Sequence, residues 1–122
     1  MRFLLMHRLD ESNPIAWNPP PEFIEKIGEF MGEVTKAGVL LAAEGVLPSA
    51  KGAKVRQSGS KQTITDGPFT EAKEVIGGFA LLQVRSKEEA VEWAARYAAL
   101  FDEVEVEVRQ VAEMEDIEAA GA

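Results

Sequence analysis

Two segments with helical periodicity, each placed between short extended runs, constrain the fold of this chain more than any other feature. The first segment predicts a helix over residues 20–37, because its apolar residues recur at helical spacing. These residues are Phe23, Ile27, Phe30, Met31 and Val34. Apolar runs at residues 2–8 and 39–47 predict a strand on either side. The prolines at 19–21 can open this helix, and Gly38 can close it.

The second half of the chain has the same order. Residues 79–84 predict a buried strand, and Ser86 with Glu89 forms a capping box at the start of a second helix. The apolar stripe of that helix comprises Ala90, Trp93, Ala94, Tyr97 and Phe101. Val104, Val106 and Val108 then alternate with charged residues, which is typical of a strand with one buried face.

Three further segments lie outside these two units. Residues 53–58 and 62–66 flank a Gly-containing loop and predict a hairpin. Residues 70–74 predict one or two helical turns, capped by Thr70 and stopped by Gly77 and Gly78. Residues 113–122 predict a frayed acidic tail, so we expect one α+β domain over residues 1–112 followed by that tail.

The order strand-helix-strand, hairpin, strand-helix-strand predicts a ferredoxin-like antiparallel sheet with two helices on one face. Leu4 and Met6 then point to the opposite face, since successive strand residues alternate in direction. An exposed apolar sheet face favours association. We therefore expect a homodimer that closes two sheets face to face and leaves a cleft as the ligand site.

Composition excludes several classes of function. The chain has no Cys, which rules out disulfides, thiolate chemistry, iron–sulfur clusters and Cys-containing zinc sites. Its 122 residues carry a net charge of −8, which disfavours nucleic acid as a partner. We expect no signal peptide and no membrane span, because the N-terminal apolar run is too short. These features are consistent with a cytoplasmic location. No metal-ligand spacing or cofactor motif is visible, so we expect neither group.

Charge is distributed unevenly along the chain. Residues 102–118 hold eight acidic residues and one basic residue, whereas residues 51–61 hold four basic residues and no acidic residue. Such runs are usually solvated faces. The alternative is that the basic hairpin of one protomer meets the acidic strand of another, in an association that salt weakens.

Three residues are candidates for acid/base chemistry, each with a structural alternative. Asp66 is either a general base at the cleft or the first residue of an Asx turn. Glu44 interrupts an apolar strand, so its carboxylate is either buried with a partner or reaches the rim. His7 is either a proton shuttle or a hydrogen-bonded histidine of the sheet. Residues that would bind a ligand beside them, or else belong to the core or to a turn, are Met6, Trp17, Gly67, Pro68, Phe69 and Phe79.

Residues 65–74 read Thr-Asp-Gly-Pro-Phe-Thr-Glu-Ala-Lys-Glu, and Gly77-Gly78-Phe79 follow. This segment resembles the signature of the DGPF group of YCII-related proteins, and weaker agreement extends over residues 2–112. The resemblance implies a dimeric α+β barrel of ferredoxin-like protomers and a frequent association with extracytoplasmic-function sigma factors. In part of that family a His on the first helix pairs with an Asp. Residues 20–37 contain no His, so this dyad is not carried over.

Two functions fit these features. In the first, the dimer cleft performs proton transfer, elimination or isomerisation on a small cyclic carbonyl or aromatic-derived compound, with Asp66, Glu44 and His7 as acid/base groups. Action on small cyclic compounds is also what the resemblance implies for some relatives. In the second, the same fold is a non-catalytic protein that binds a small molecule or a transcription-related partner.

Overall fold

The computed structural model describes residues 1–121. Within them, six strands and three α-helices occur in the order β1 (Arg2–Leu9), α1 (Pro21–Lys36), β2 (Leu40–Gly45), β3 (Ala53–Ser58), β4 (Lys61–Asp66), β5 (Val75–Gln83), α2 (Lys87–Ala98), β6 (Glu105–Gln110) and α3 (Met114–Gly121). Short 3-10 helices lie at Pro14–Ala16 and Ser49–Lys51. The strands predicted at both ends of each helix and the hairpin are therefore present.

Four of the strands form an antiparallel sheet in the order β2-β5-β1-β6, and β3 and β4 form a separate hairpin. This is the ferredoxin-like order, so the predicted α+β fold is confirmed. Helices α1 and α2 cover one face, where their buried residues pack against those of the sheet. The core comprises Phe3, Leu5, Phe30, Val34, Leu82, Val84, Ala90 and Ala94. Residues 1–121 of one chain form no closed barrel.

The sheet face opposite α1 and α2 is called the open face below. Its residues alternate with the core residues of β1 and include Leu4 and Met6. Leu81 pairs with Leu4 in the register of β1 and β5, and Phe79 pairs with Met6. Phe79 is 36% exposed, so an aromatic ring on this face is accessible to solvent within the single chain.

Both long helices begin as the sequence indicates. Pro21 lies at the first helical position of α1, and Gly38 follows the helix with φ of +75°, a conformation that favours glycine. At α2 the Ser86 hydroxyl accepts a hydrogen bond from the Glu89 amide at 3.1 Å. The Glu89 carboxylate accepts from the amide of Arg85, at 3.0 Å, instead of closing the predicted box on Ser86.

The helical turns predicted over residues 70–74 are wrong. A single turn at Thr70 and Glu71 leads into β5, which begins at Val75 and so is longer than the predicted strand. Gly77 and Gly78 lie inside that strand, where Gly78 pairs with His7. The glycines therefore do not stop a helix. They keep the β5 backbone free of side chains where it passes His7, as described below.

The frayed segment predicted at residues 113–122 is also not what the structure shows, since Met114–Gly121 form α3; Ala122 lies outside the described residues. The Asp116 carboxylate accepts a hydrogen bond at 3.0 Å from the amide of Glu113, the residue before the helix, which is one half of a capping box. Glu113 is also held by Arg2 of β1 through two hydrogen bonds of 2.8 and 3.0 Å. These contacts fix the start of a helix that has no buried residue.

Across residues 1–121, none of the helices combines the length and apolar character that crossing a bilayer requires.

Candidate functional site

A cavity of about 310 Å³ lies between the sheet and the two long helices. Core-facing residues of β1, β2 and β5 form its floor, and α1 and α2 form its walls. The side chains that surround it are mainly apolar: Leu5, Ile27, Phe30, Met31, Val34, Leu40, Leu82 and Trp93, with Val106 from β6. Its volume lies at the lower end of the range of small-molecule sites. The cavity therefore suits a small, largely apolar ligand.

His7 and Tyr97 place a polar pair on the wall of this cavity. The Tyr97 hydroxyl lies 3.1 Å from Nδ1 of His7, within hydrogen-bond distance. Both rings pack against Phe101, with centroids 5.8 Å from His7 and 5.1 Å from Tyr97. Aromatic packing therefore holds the hydrogen-bonded pair in place.

Burial keeps both members of the pair uncharged near neutral pH. It lowers the pKa of His7 below the ordinary value of 6.5, because the imidazolium form loses hydration. It raises the pKa of Tyr97 to about 12, because the phenolate would lose hydration as well. Among residues 1–121 no carboxylate is hydrogen-bonded to His7, so nothing compensates for a positive charge on its ring.

Two glycines of β5 make the space that the His7 ring occupies. A Cβ at Gly77 would overlap Nε2 of His7, and a Cβ at Gly78 would lie 2.9 Å from its Cε1. The pairing of β1 with β5 shifts between His7 and Arg8, so Gly77 is the extra residue at this point. The imidazole therefore lies against bare backbone on one side and against Tyr97 on the other.

Glu44 and Phe79 pair across β2 and β5 and lie at the edge of the cavity. Glu44 is exposed, so its carboxylate is not buried with a partner, and its place at the rim of a cleft stays a prediction. Both residues border the cavity, but the pairing of Phe79 with Met6 and with Glu44 directs their side chains to the open face, so the structure places only His7 on the wall of the cavity. The residue that the sequence did not single out as functional is Tyr97.

Asp66 does not line this cavity. It is the last residue of β4, pairs with Ala53 and is exposed. Its carboxylate accepts no hydrogen bond from any residue in 1–121, and the Gly67 amide donates to Gly52 at 2.9 Å, so the predicted Asx turn is absent there. The structure does not bring Asp66 to His7.

Gly67, Pro68 and Phe69 form the base of the hairpin. The Gly67–Pro68 peptide bond is cis, and a Cβ at Gly67 would overlap the Ser49 carbonyl oxygen. The Ser49 hydroxyl accepts from the Phe69 amide at 2.9 Å and donates to the Glu11 carboxylate. Hydrogen bonds from the Ser49 hydroxyl and the Ser49 amide lower the pKa of Glu11. The motif that carries the family resemblance thus ties the hairpin to the loop after β1.

The other predicted ligand-binding residues lie elsewhere. Met6 is on the open face, paired with Phe79 and Glu107. Trp17 lies in the loop before α1 and lines neither this cavity nor the groove beside Phe69 described below. Its indole Nε1 is buried and has no hydrogen-bond partner among the described residues.

No group of three or more His, Asp or Glu side chains within residues 1–121 is arranged to hold a metal ion. His7 and Tyr97 form the polar pair on the wall of the cavity.

A signal for Tyr97 is present in the sequence. It is the only Tyr of the chain and lies on the apolar stripe of α2, while the only His lies on the core face of β1. A buried tyrosine hydroxyl needs a hydrogen-bond partner, and few polar side chains face this core. Pairing the two residues requires α2 to be placed over the end of β1, which strand and helix periodicity alone does not specify.

Comparison with known proteins agrees with this fold. The family described as YCII-related domain matches residues 1–115. An uncharacterised protein of Rhizobium meliloti (strain 1021), R00369, is 30% identical to the chain over 87 residues, which is 70% of the length of each protein. The match to the family extends over nearly all of the chain, including every strand of the sheet. The chain therefore belongs to the YCII-related domain family.

Proposed function

We propose that this protein binds a small, largely apolar compound with one hydrogen-bonding group in the cavity between the sheet and the helices. The observation that carries the proposal is the His7–Tyr97 pair on the wall of an otherwise apolar cavity of about 310 Å³. Apolar walls provide affinity and one polar contact provides orientation, as is common in small-molecule sites. Phenols, lactones and cyclic ketones of one or two rings have this chemistry.

The pair can serve two kinds of ligand. When Tyr97 donates its proton to Nδ1 of His7, the tyrosine oxygen is free to accept a hydrogen bond from a ligand hydroxyl. When the other tautomer of His7 donates from Nδ1, the Tyr97 hydroxyl is free to donate to a ligand carbonyl. The site can therefore hold a phenol or a ketone without a change in charge.

The same geometry favours binding over proton abstraction. If the pair acted as a base, it would take up the ligand's proton and leave His7 as a buried imidazolium. The lowered pKa of His7 makes that form unfavourable, and no acidic side chain in residues 1–121 is bonded to the ring. A lyase or isomerase activity, with Glu44 or Asp66 as a further acid/base group, stays a prediction from the sequence.

The binding test uses thermal unfolding and calorimetry with a panel of phenols, lactones and cyclic ketones, together with apolar analogues such as toluene. Tyr97→Phe keeps the ring and removes the hydroxyl. We expect it to weaken binding of the hydroxyl and carbonyl compounds about fivefold, because one hydrogen bond contributes about 1 kcal/mol. Binding of the apolar analogues should change little.

Ala43→Leu is the variant that fills the cavity, since Ala43 lines it. Ala95→Leu is its control, because Ala95 is on the exposed side of α2. Binding should be lost in the first variant and kept in the second. Equal binding by Ala43→Leu and wild type would contradict the proposed site, as would the absence of any ligand in the panel that stabilises the wild type.

We also propose that two copies associate through their open faces. Leu4, Met6, Phe79 and Leu81 lie there in adjacent pairs, and such a row of apolar side chains favours a partner. A second copy supplies a matching surface by two-fold symmetry. The DGPF subgroup, a cytoplasmic location and a sigma-factor context stay predictions from the sequence.

A further inference from the structure

Helix α3 carries an apolar pair that is largely exposed to solvent within residues 1–121. Met114 is 66% exposed and Ile117 is 54% exposed, and their spacing of three places them on one side of the helix. Glu115, Asp116 and Glu118 surround this pair with negative charge. A short helix with these features is suited to an apolar groove with a basic rim.

A groove of that kind lies at the base of the hairpin and has a volume of about 590 Å³. Its apolar side chains include Val46, Leu47, Phe69, Val75 and Ile76. Leu47 is 72% exposed and Ile76 is 44% exposed, so the groove is open to a partner. Lys51 and Lys54 also line it, and none of its lining residues is acidic.

A chain cannot place its own α3 in its own groove. Helix α3 follows β6 and is held by Arg2, so it starts at the corner of the sheet where β1 begins, next to β6. The groove lies at the opposite corner, where β2 ends and β5 begins. The two edge strands β6 and β2 are three strand spacings apart, or roughly 14 Å.

Both corners adjoin the open face. The side chain of Arg2, which binds Glu113, alternates with that of Phe3 and so points to this face. Ile76 of the groove pairs with Arg8, which points the same way. When two such faces meet, a two-fold axis can lie between the sheets, along the diagonal that joins the other two corners. Rotation about this axis places each α3 over the groove of the second copy.

We propose that α3 of one copy binds in the hairpin-base groove of a second copy, and that the exchange is reciprocal. Met114 and Ile117 cover the apolar floor, while Glu115 and Glu118 face Lys51 and Lys54. The proposal rests on the homodimer proposed above and specifies one of its contacts. An eight-residue helix is about 12 Å long, a length that such a groove can accommodate.

Cysteine crosslinking tests this contact directly, because the natural chain contains no Cys. Full-length chains with Ile117→Cys and with Leu47→Cys are mixed and oxidised, and covalent dimers are measured on a non-reducing gel. The control replaces Leu47→Cys by Val55→Cys, a residue that is 64% exposed on the hairpin but outside the groove. We expect at least a fivefold higher yield of crosslinked heterodimer for the groove pair than for the control.

Charge reversal gives an independent measurement by sedimentation. Lys51→Glu with Lys54→Glu should weaken self-association, and Glu115→Lys with Glu118→Lys should do the same. Mixing the two variants should restore dimers, and high salt should weaken the wild-type dimer.

The outcomes separate the two proposals. A dimeric wild type with equal crosslinking in the groove pair and the control overturns the α3–groove contact and leaves the open-face homodimer. A wild type that stays monomeric at high protein concentration overturns both.

Discussion

His7 determines which residues the neighbouring strand can carry. Its ring fills the volume in which a side chain at Gly77 would lie, and it comes close to the position of a Cβ at Gly78, where the Glu44 carbonyl oxygen is also only 2.8 Å away. Glycine is required there by the close approach of another residue and not by a positive φ, since among the described glycines only Gly38 and Gly59 have one. A substitution at Gly77 should therefore depend on the residue at position 7.

Gly77→Ala should lower the free energy of unfolding by about 2 kcal/mol, because the new methyl group displaces the His7 ring and the end of Leu9. In a His7→Ala background the same change should cost clearly less, since one of the two obstructing side chains is gone. Urea unfolding of the four proteins measures this coupling. Gly28→Ala is the control, as a Cβ there meets nothing within 4 Å and α1 should gain stability. Additive effects at positions 7 and 77 would contradict the overlap.

The stability of the protein should depend on pH through His7. Its pKa is lowered in the folded state, so below about pH 6.5 the unfolded chain binds a proton that the folded protein excludes. The stabilisation that comes from keeping His7 neutral is complete above about pH 6.5. It is lost as the pH falls from there toward the lower pKa that His7 has in the folded protein. His7→Gln should remove this part of the pH dependence. Urea unfolding at intervals between pH 5 and 8 measures it, and identical slopes for the two proteins would show that His7 is not the group responsible.

At the scale of elements, the base of the hairpin depends on Ser49. Its amide donates to Glu11 at 3.0 Å, and its hydroxyl accepts from Phe69 and donates to Glu11. The hairpin strands themselves are exposed at every position, so they contribute little burial of their own. The connection to the body of the protein should therefore come from this buried serine and the segment that follows β4.

Ser49→Ala should destabilise the protein by about 1 to 3 kcal/mol, because it leaves the Phe69 amide without its acceptor and removes a hydrogen bond to Glu11. Amide exchange in β3 and β4 should accelerate more than exchange in β1. Ser58→Ala, at the exposed end of β3, is the matched control and should have little effect. Uniform acceleration across both sheets would mean that the hairpin does not open separately.

Element positions were predictable where periodicity is strong. Helices α1 and α2, the hairpin and β6 all follow from apolar spacing, prolines and caps that act within a few residues. The turn at 70–74 and the start of β5 could not be predicted, because Gly77 and Gly78 indicate the end of a helix unless His7 is known to lie against them. The site shows the same division: His7 was found as a candidate, but its contact with Tyr97 joins residues 90 positions apart. Such contacts depend on how elements pack, which local patterns do not specify.

For the whole molecule, the open face is the surface that should govern assembly. Leu81 lies on it beside Leu4, in the middle of the sheet and away from the His7 cavity. Glu107 of β6 forms ion pairs with Arg8 at 3.4 Å and with Arg109 at 3.2 Å. The apolar pairs therefore lie between this charged row and the β2 edge.

Leu81→Lys should convert the proposed homodimer to a monomer, because a lysine at the centre of an apolar interface is costly to desolvate. Ile24→Lys is the control, since Ile24 is 58% exposed on α1, on the other side of the molecule. Light scattering after size exclusion measures the mass, and circular dichroism checks that both variants fold. A Leu81→Lys protein with the same mass as the wild type would rule out the open face as the interface.

The position of β1 in the middle of the sheet has a consequence for synthesis on the ribosome. This strand is made before the other strands of the sheet, yet its partners are Val75–Gln83 and Glu105–Gln110. At a translation rate of about 5–20 residues per second, β1 waits on the order of 5 to 20 seconds before its last partner is made. During that time its apolar residues have no sheet to join and are available to chaperones. The central sheet is therefore complete only after β6 has been made.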